Sequence, residues 1–267
     1  MTIEVTSRDE FDALIDVVWK AHYNPYDPAF SAFFPIFGPT AADREAAIQE
    51  SKDRLWQSHQ CDSSSHWIYI RHLITGEVVG GAQWLIYRTN PYANGAPKME
   101  ASWWPEGSAG RMYCNELLRL CHAPKHQWMN RPHLGTSKSH TDFEITKMAA
   151  IDQYRTALNL PSVHPKYRHR CIGAMLTYWG VDEAKKLGIE SFIEASASGK
   201  DLYEQFGYHV LFKISFHASK KDTSDEWRKL EHELGPVVYF AMWRPATGVF
   251  EDGKTVLPWD ISTNVLC

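Results

Sequence analysis

Read as a string of apolar and polar positions, the chain changes period several times. Ser7-Arg-Asp-Glu10 has the form of a helix capping box, and Phe11, Leu14, Ile15, Val18 and Trp19 follow at helical spacing. The pattern predicts a helix from about Arg8 to Ala21. The next stretch, NPYDPAFSAFFPIFGP, is dense in proline and aromatic residues and predicts an irregular segment or a broken helix that lines something apolar. Thr40 and Asp43 repeat the capping pattern ahead of a helix from about Ala41 to His59, with Ala47, Ile48, Leu55 and Trp56 on one face. At HWIYIRH (66–72) and EVVGGAQWLIYR (77–88) the period drops to two, and the turn at Thr75-Gly76 predicts an antiparallel hairpin. Within it, Gly80-Gly81 marks a bulge or a close backbone approach.

Residues 89–107 are punctuated by Pro, Gly and Asn and read as a long loop, followed by a short helix around 108–122. Residues 135–156 are polar and lack a clear period. The apolar run LNLPSV (158–163) then leads through a turn into a helix from Ile172 to Leu187 that closes at Gly188. A strand at 189–195, a short helix from Lys200 to Phe206 ended by Gly207, and a strand at 208–216 follow. Thr223 to Leu234 reads as a capped helix with Glu226 completing its box, ahead of a last strand at 237–244. Hairpins first and strand-helix-strand units later predict an α/β (α+β) domain, a mixed sheet with helices on both faces.

Composition narrows the function classes. At 267 residues and 44% hydrophobic, the chain is expected to form a single domain over residues 1–267. A net charge of -4 and a pI near 6.3 give no general attraction to nucleic acid or an anionic membrane. The acidic start lacks the basic and apolar regions of a signal peptide, and no run approaches the roughly 18 apolar residues of a membrane span. The expectation is a cytoplasmic protein whose five irregularly spaced cysteines are reduced thiols. Cys114, Cys121, His122 and His126 cluster, but their spacing fits no common zinc pattern, so no metal is expected.

The segment with chemical content is VHPKYRHRCIGAMLTYWGVDEAKKLG (163–188). A strand ends at Val163, a basic loop follows, and a helix opens near Ile172 with Gly173 and Ala174 in its first turn. Such a turn aims unpaired N–H groups and the positive end of the helix dipole at one point, where a pyrophosphate would be held. Arg168 and Arg170 add charge there, with Lys166 at the rim. An ordinary strand-to-helix turn with solvated basic residues is the structural alternative.

VHPKYRHRCIGAML resembles the acyl-CoA signature of the GNAT (general N-acetyltransferase) superfamily, an Arg or Gln followed two residues later by Gly-x-Gly or Gly-x-Ala. FIEASASGKDLYEQFGYHVL resembles the second motif of that superfamily. WWPEG (103–107), RPH (131–133), the EAS strand end and MWRPATGVFEDGKTVLPW are similar to a group of fungal GNAT proteins, mostly of unknown substrate. The resemblance implies a twisted mixed sheet of about seven strands, split near Val163, and acetyl transfer from acetyl-CoA to a small-molecule amine.

Carried over residue by residue, it implies that the Val163 backbone pairs with the pantetheine arm and that Arg168, His169, Arg170, Cys171, Ile172, Gly173 and Ala174 wrap the pyrophosphate. Tyr203, four positions before Gly207, matches the tyrosine that protonates the departing thiolate, with a core tyrosine as its alternative. Glu194 and His133 are the candidates for the base that neutralises the amine, each with a structural role as its alternative. The chain departs from the pattern at Cys171, which stands where the first glycine is expected and is expected to crowd the phosphate or push the loop outward. A second departure is the segment 135–156, read as an insertion, with 245–267 as a C-terminal tail. Two rival functions stay open, a CoA-binding or sensor protein without turnover and an O-acyltransferase. Tyr23, Tyr26, Phe30, Phe33, Phe34 and Phe37 line an acceptor pocket or belong to the core. The oligomeric state, a homodimer among the options, is undecided.

Overall fold

The computed structural model describes residues 2–95, 100–135, 161–218 and 224–260. Its elements run β1 (Thr2–Glu4), α1 (Arg8–His22), α2 (Pro28–Phe33), α3 (Ala41–Gln60), β2 (Ser65–Arg71), β3 (Val78–Tyr87), α4 (Ala109–Trp128), β4 (His133–Gly135) and β5 (Ser162–Val163). After a 3-10 turn at Pro165–Tyr167 come α5 (Ile172–Leu187), β6 (Glu190–Ala195), α6 (Lys200–Gln205), β7 (His209–Phe216), α7 (Asp225–Leu234) and β8 (Val237–Arg244). Most of the predicted segment 135–156 lies outside the described residues, as do residues 158–160 of the LNLPSV run.

Local signals place the helices. Two of the three predicted capping boxes are formed, by Ser7 with Glu10 and by Thr40 with Asp43, while the third begins at Thr223, outside the described residues. Glu10 also accepts the Tyr69 hydroxyl at 2.6 Å, which ties the start of α1 to β2. That bond, with the Thr6 and Ser7 amides, holds the Glu10 carboxyl down to about 2. The aromatic stretch after α1 breaks and re-forms as α2, because Asp27 caps the Phe30 amide at 2.9 Å and Pro28 suits a first helical position. Helix α7 is capped by Ser224, whose hydroxyl accepts from the Trp227 amide at 3.2 Å, so it starts later than the predicted Thr223. The predicted end of α4 near residue 122 is also corrected, since the helix runs through Pro124 to Trp128. A mid-helix proline costs about 3 kcal/mol, and burial of the apolar side chains of Tyr113, Cys114, Leu117 and Leu118 on this helix offsets it.

The sheet has eight strands, in the order β1-β2-β3-β4-β6-β8-β7 with β5 paired to β3, rather than the expected seven or so. The unforeseen strands, β1 and β4, are three residues each, too short to show an alternating pattern. Strands β4 and β5 lie on the same edge of β3, with Gly135 opposite Leu85 and Ser162 opposite Gly81. They form two ends of one interrupted line. Strand β6 pairs in parallel with β4 over Glu190–Phe192, whereas β5 has no ladder with β6. Among the described residues the sheet is therefore open beside β5.

Both readings of Gly80-Gly81 hold. The β2–β3 register shifts next to them, with Ile70 opposite Gly80 and Arg71 opposite Val78, so Val79 is the extra residue of a bulge. The two glycines also admit helices to opposite faces: a Cβ at Gly80 would stand 2.5 Å from Ile172 Cγ2 on α5, and one at Gly81 2.5 Å from Leu14 Cγ on α1. One core, containing Phe11, Leu14, Trp19, Phe30, Tyr113 and Phe192, fills the face under α1, α2 and α4. The other, containing Trp84, Ile172, Leu176, Ile193, Tyr203 and Tyr208, fills the face under α5 and α6.

Two outcomes follow from this packing. Gly80→Ala puts a methyl group 3.1 Å from the Ser162 carbonyl as well as against Ile172, and urea unfolding is expected to show a loss of about 1–3 kcal/mol. Because the Glu10 carboxyl is depressed from its ordinary 4.5 to about 2, its contribution is present above pH 4.5 and is lost as pH falls towards 2. The urea midpoint of Glu10→Gln, measured from pH 5 down to pH 2, is expected to fall less steeply than that of the parent.

Candidate active site

The chain leaves the sheet at Val163 in a fixed way. The His164 amide donates to the Val79 carbonyl at 3.0 Å, and His164 Nδ1 accepts from the Lys166 amide at 3.2 Å, which starts the 3-10 turn. Tyr167 donates its hydroxyl to Glu77 at 2.7 Å and so pins that turn beside the start of β3. The same bond holds the Glu77 carboxyl below the usual carboxylate range.

Beyond Arg168 the backbone enters the left-handed region twice, at His169 (φ 60°) and at Cys171 (φ 59°, ψ 12°), and α5 then begins. Alternation of this kind makes the anion-binding concavity called a nest. Among the described residues no acceptor bonds the amides of His169 to Ala174, and the first bond of α5 runs from Met175 to the Cys171 carbonyl at 3.0 Å. These donors lie at the positive end of a 16-residue helix. Arg168 donates to the Ala21 carbonyl at 2.8 Å, and the Arg170 guanidinium sits 5.4 Å from the centre of the Tyr167 ring. Cys171 itself takes the left-handed conformation that a glycine would adopt, and its thiol is exposed. A non-glycine residue in that region costs about 1–2 kcal/mol.

The structure brings some of the expected residues together and separates others. Leu202 of α6 lies against Gly173, with its Cδ2 3.2 Å from the position of a Cβ there, so the first turns of α5 and α6 meet. Tyr203 is the next residue of α6; its ring packs edge-on against Tyr208 at 5.8 Å, and burial pushes its phenol well above the usual range. The hydroxyl therefore stays protonated at neutral pH.

Glu194 is on the opposite face, where one carboxylate oxygen is held by the buried Lys125 ammonium at 2.7 Å. His133 is farther away still: it pairs with Tyr87, seven residues along β3 from the Gly80 partner of Val163, a span of roughly 23 Å. It is 1% exposed, and its Nδ1 donates to the Arg131 carbonyl at 2.7 Å. Of the aromatic group, Phe30, Phe33 and Phe34 are core, while Tyr23 and Phe37 are exposed. Cys114 donates its thiol to the Ala32 carbonyl at 3.3 Å, beneath α2.

One pair was not foreseen. His22, in the last turn of α1, places Nε2 3.3 Å from Oγ of Ser162 on β5 and stacks its ring on Phe30 at 5.0 Å. No sequence signal links residues 140 positions apart. A separate cleft of about 750 Å³ lies at the other end of β6, between Glu190, Trp243 and the segment 245–256. Its charges are already paired, Arg131 with Glu190 and Lys254 with Glu251, each at 2.7 Å.

No model of a protein family matches the sequence, and no curated protein matches it. Solved structures do. An agmatine N-acetyltransferase superposes with a TM-score of 0.51 at 12% identity, covering 91% of this chain and 99% of its own. A mosquito arylalkylamine N-acetyltransferase gives 0.51 at 12% identity, covering 92% and 100%. The C-terminal condensation domain of Ebony, in complex with β-alanyl-dopamine, gives 0.54 at 13% identity, covering 92% and 98%. Among the described residues no helix is long and apolar enough to cross a membrane. With its mixed sheet opened beside β5 and a bare helix N-terminus at the opening, the chain has the fold of the GNAT N-acetyltransferases.

Proposed function

We propose that the protein is an acetyl-CoA-dependent N-acetyltransferase that acylates the primary amine of a small molecule by direct transfer in a ternary complex. The observation that carries this reading is the row of unbonded amides from His169 to Ala174, set where β5 and β6 part. These donors would hold the pyrophosphate, helped by Arg168 and Arg170, and the Val163 backbone would take the pantetheine arm as an added strand. The amine nitrogen would attack the thioester carbonyl carbon as the C–S bond breaks, and the Tyr203 phenol would give its proton to the leaving sulfur. Positioning of the two substrates supplies much of the rate.

The acceptor class has its own support. The solved structures of the same fold include proteins named for agmatine and for arylalkylamines. In this chain the half-buried ring of His22, backed by the core residue Phe30, lies beside Ser162 and suits an amine with a flat or apolar body. One observation also favours O-acylation, the same histidine beside β5, since a hydroxyl acceptor needs a base.

Calorimetry with acetyl-CoA is expected to show saturable binding. Ala174→Asp places a carboxylate in the first turn, where it suits the helix but repels phosphate, so the affinity is expected to fall about tenfold while the thermal midpoint holds. Binding unaffected by this change would remove the loop from the site. Thiol release from acetyl-CoA with tryptamine, agmatine and tyrosol separates amine from hydroxyl acceptors. In the same assay Tyr203→Phe is expected to lower kcat about 100-fold with acetyl-CoA affinity unchanged; equal turnover would exclude the phenol as the acid.

A further inference from the structure

We infer that His22 and Ser162 form the proton-accepting side of this site: the Ser162 hydroxyl takes a proton from the acceptor's ammonium group while passing its own to His22 Nε2. This rests on the acetyltransferase reading above. A primary amine with a pKa near that of lysine, about 10.4, arrives as an ammonium ion without a lone pair, so it must lose a proton before it can attack. The group that takes the proton needs a lone pair, access to the acceptor and a way to return the proton to water.

Among the described groups flanking the sheet at β5, His22 has the lone pair and a half-buried ring, and its partner Ser162, 1% exposed, is the hydroxyl that an acceptor entering there has to reach. Ser162 immediately precedes Val163, and successive residues of a strand point to opposite faces. Val163 packs with the core under α5, whereas Ser162, opposite Gly81, turns to the α1 face and meets His22 there. The backbone proposed to receive the pantetheine arm therefore carries, one residue earlier, a hydroxyl that points to the acceptor side. Across the opening the Glu194 oxygen is held by Lys125, and His133 lies at the far end of β3.

The surroundings keep the imidazole ready. Burial is the largest influence and lowers its pKa; Asp27 at the α2 cap opposes that, and Arg168 in the loop reinforces it. At neutral pH the ring is uncharged and Nε2 can accept. The ring is only partly buried, so a proton can leave by its exposed edge. Arg168, through its bond to the Ala21 carbonyl, fixes the residue next to His22 from the phosphate loop. In the step itself, an ammonium N–H bond breaks as a new Oγ–H bond forms, and the old Oγ–H bond breaks as Nε2–H forms. The products are a neutral amine and an imidazolium, with no change in electron count.

The test is thiol release from acetyl-CoA by the parent, His22→Gln and Ser162→Ala, with tryptamine or the best amine of the panel, across pH 5 to 9. The expected result is a kcat about 100-fold lower in His22→Gln, with acetyl-CoA affinity kept within about twofold. In the parent, kcat should rise with pH through an apparent pKa below 6.5, and that limb should vanish in His22→Gln, a change that loss of packing alone would not produce. Ser162→Ala, a small truncation that removes only the relay hydroxyl, should lower kcat with the same intact affinity, and it keeps the test decisive if His22→Gln folds poorly. Retained acetyl-CoA binding with kcat within about threefold of the parent in both variants overturns the relay alone. A parent that binds no acetyl-CoA, or acetylates none of the amines, overturns the acetyltransferase reading and the relay with it.

Discussion

Two missing side chains in the middle of β3 set the geometry of the whole molecule. At Gly80 and Gly81 the sheet has no Cβ atoms, so α5 can press Ile172 onto one face and α1 can press Leu14 onto the other. Both helices are thereby fixed against the same two residues. Since β5 pairs with these glycines too, the opening of α5, the end of α1 and the edge beside the gap are held in one place. Any bulkier pair would move all three apart.

From that constraint follows a division of labour between the two faces. The α5 face carries the amides after Val163 that no described acceptor bonds, with the buried Tyr203 on the adjoining helix. The α1 face carries two polar pairs, His22 with Ser162 and Lys125 with Glu194. The buried ion pair is costly to assemble and would be more costly to break on one side, because either charge alone would be left without compensation. It acts as a fixed wall. His22, half-buried beside Ser162, is the softer and more exchangeable group.

Cys171 shows how a sequence departure can be absorbed. The glycine expected there is useful for its positive φ, and the cysteine adopts that φ at a small steric cost while its side chain points to solvent.

Much of the fold was legible in the residues alone. Helices α1, α3 and α5 and strand β8 begin where their caps and periods say, because those signals act within a few residues: Ser7 with Glu10, Thr40 with Asp43, Gly188 after Leu187. The strand-to-helix turn between Val163 and Ile172 was legible for the same reason. What the sequence could not show were the three-residue strands, the passage of α4 through Pro124, and the fate of the candidate bases. Each depends on a partner distant in the chain: β1 on β2, α4 on the core beneath it, Glu194 on Lys125, His133 on Tyr87, and His22 on Ser162. Local hydrogen bonding and periodicity determine where elements start and stop. Only tertiary packing decides which side chains face each other across a gap, since that depends on sheet register and on the close approach the glycines permit.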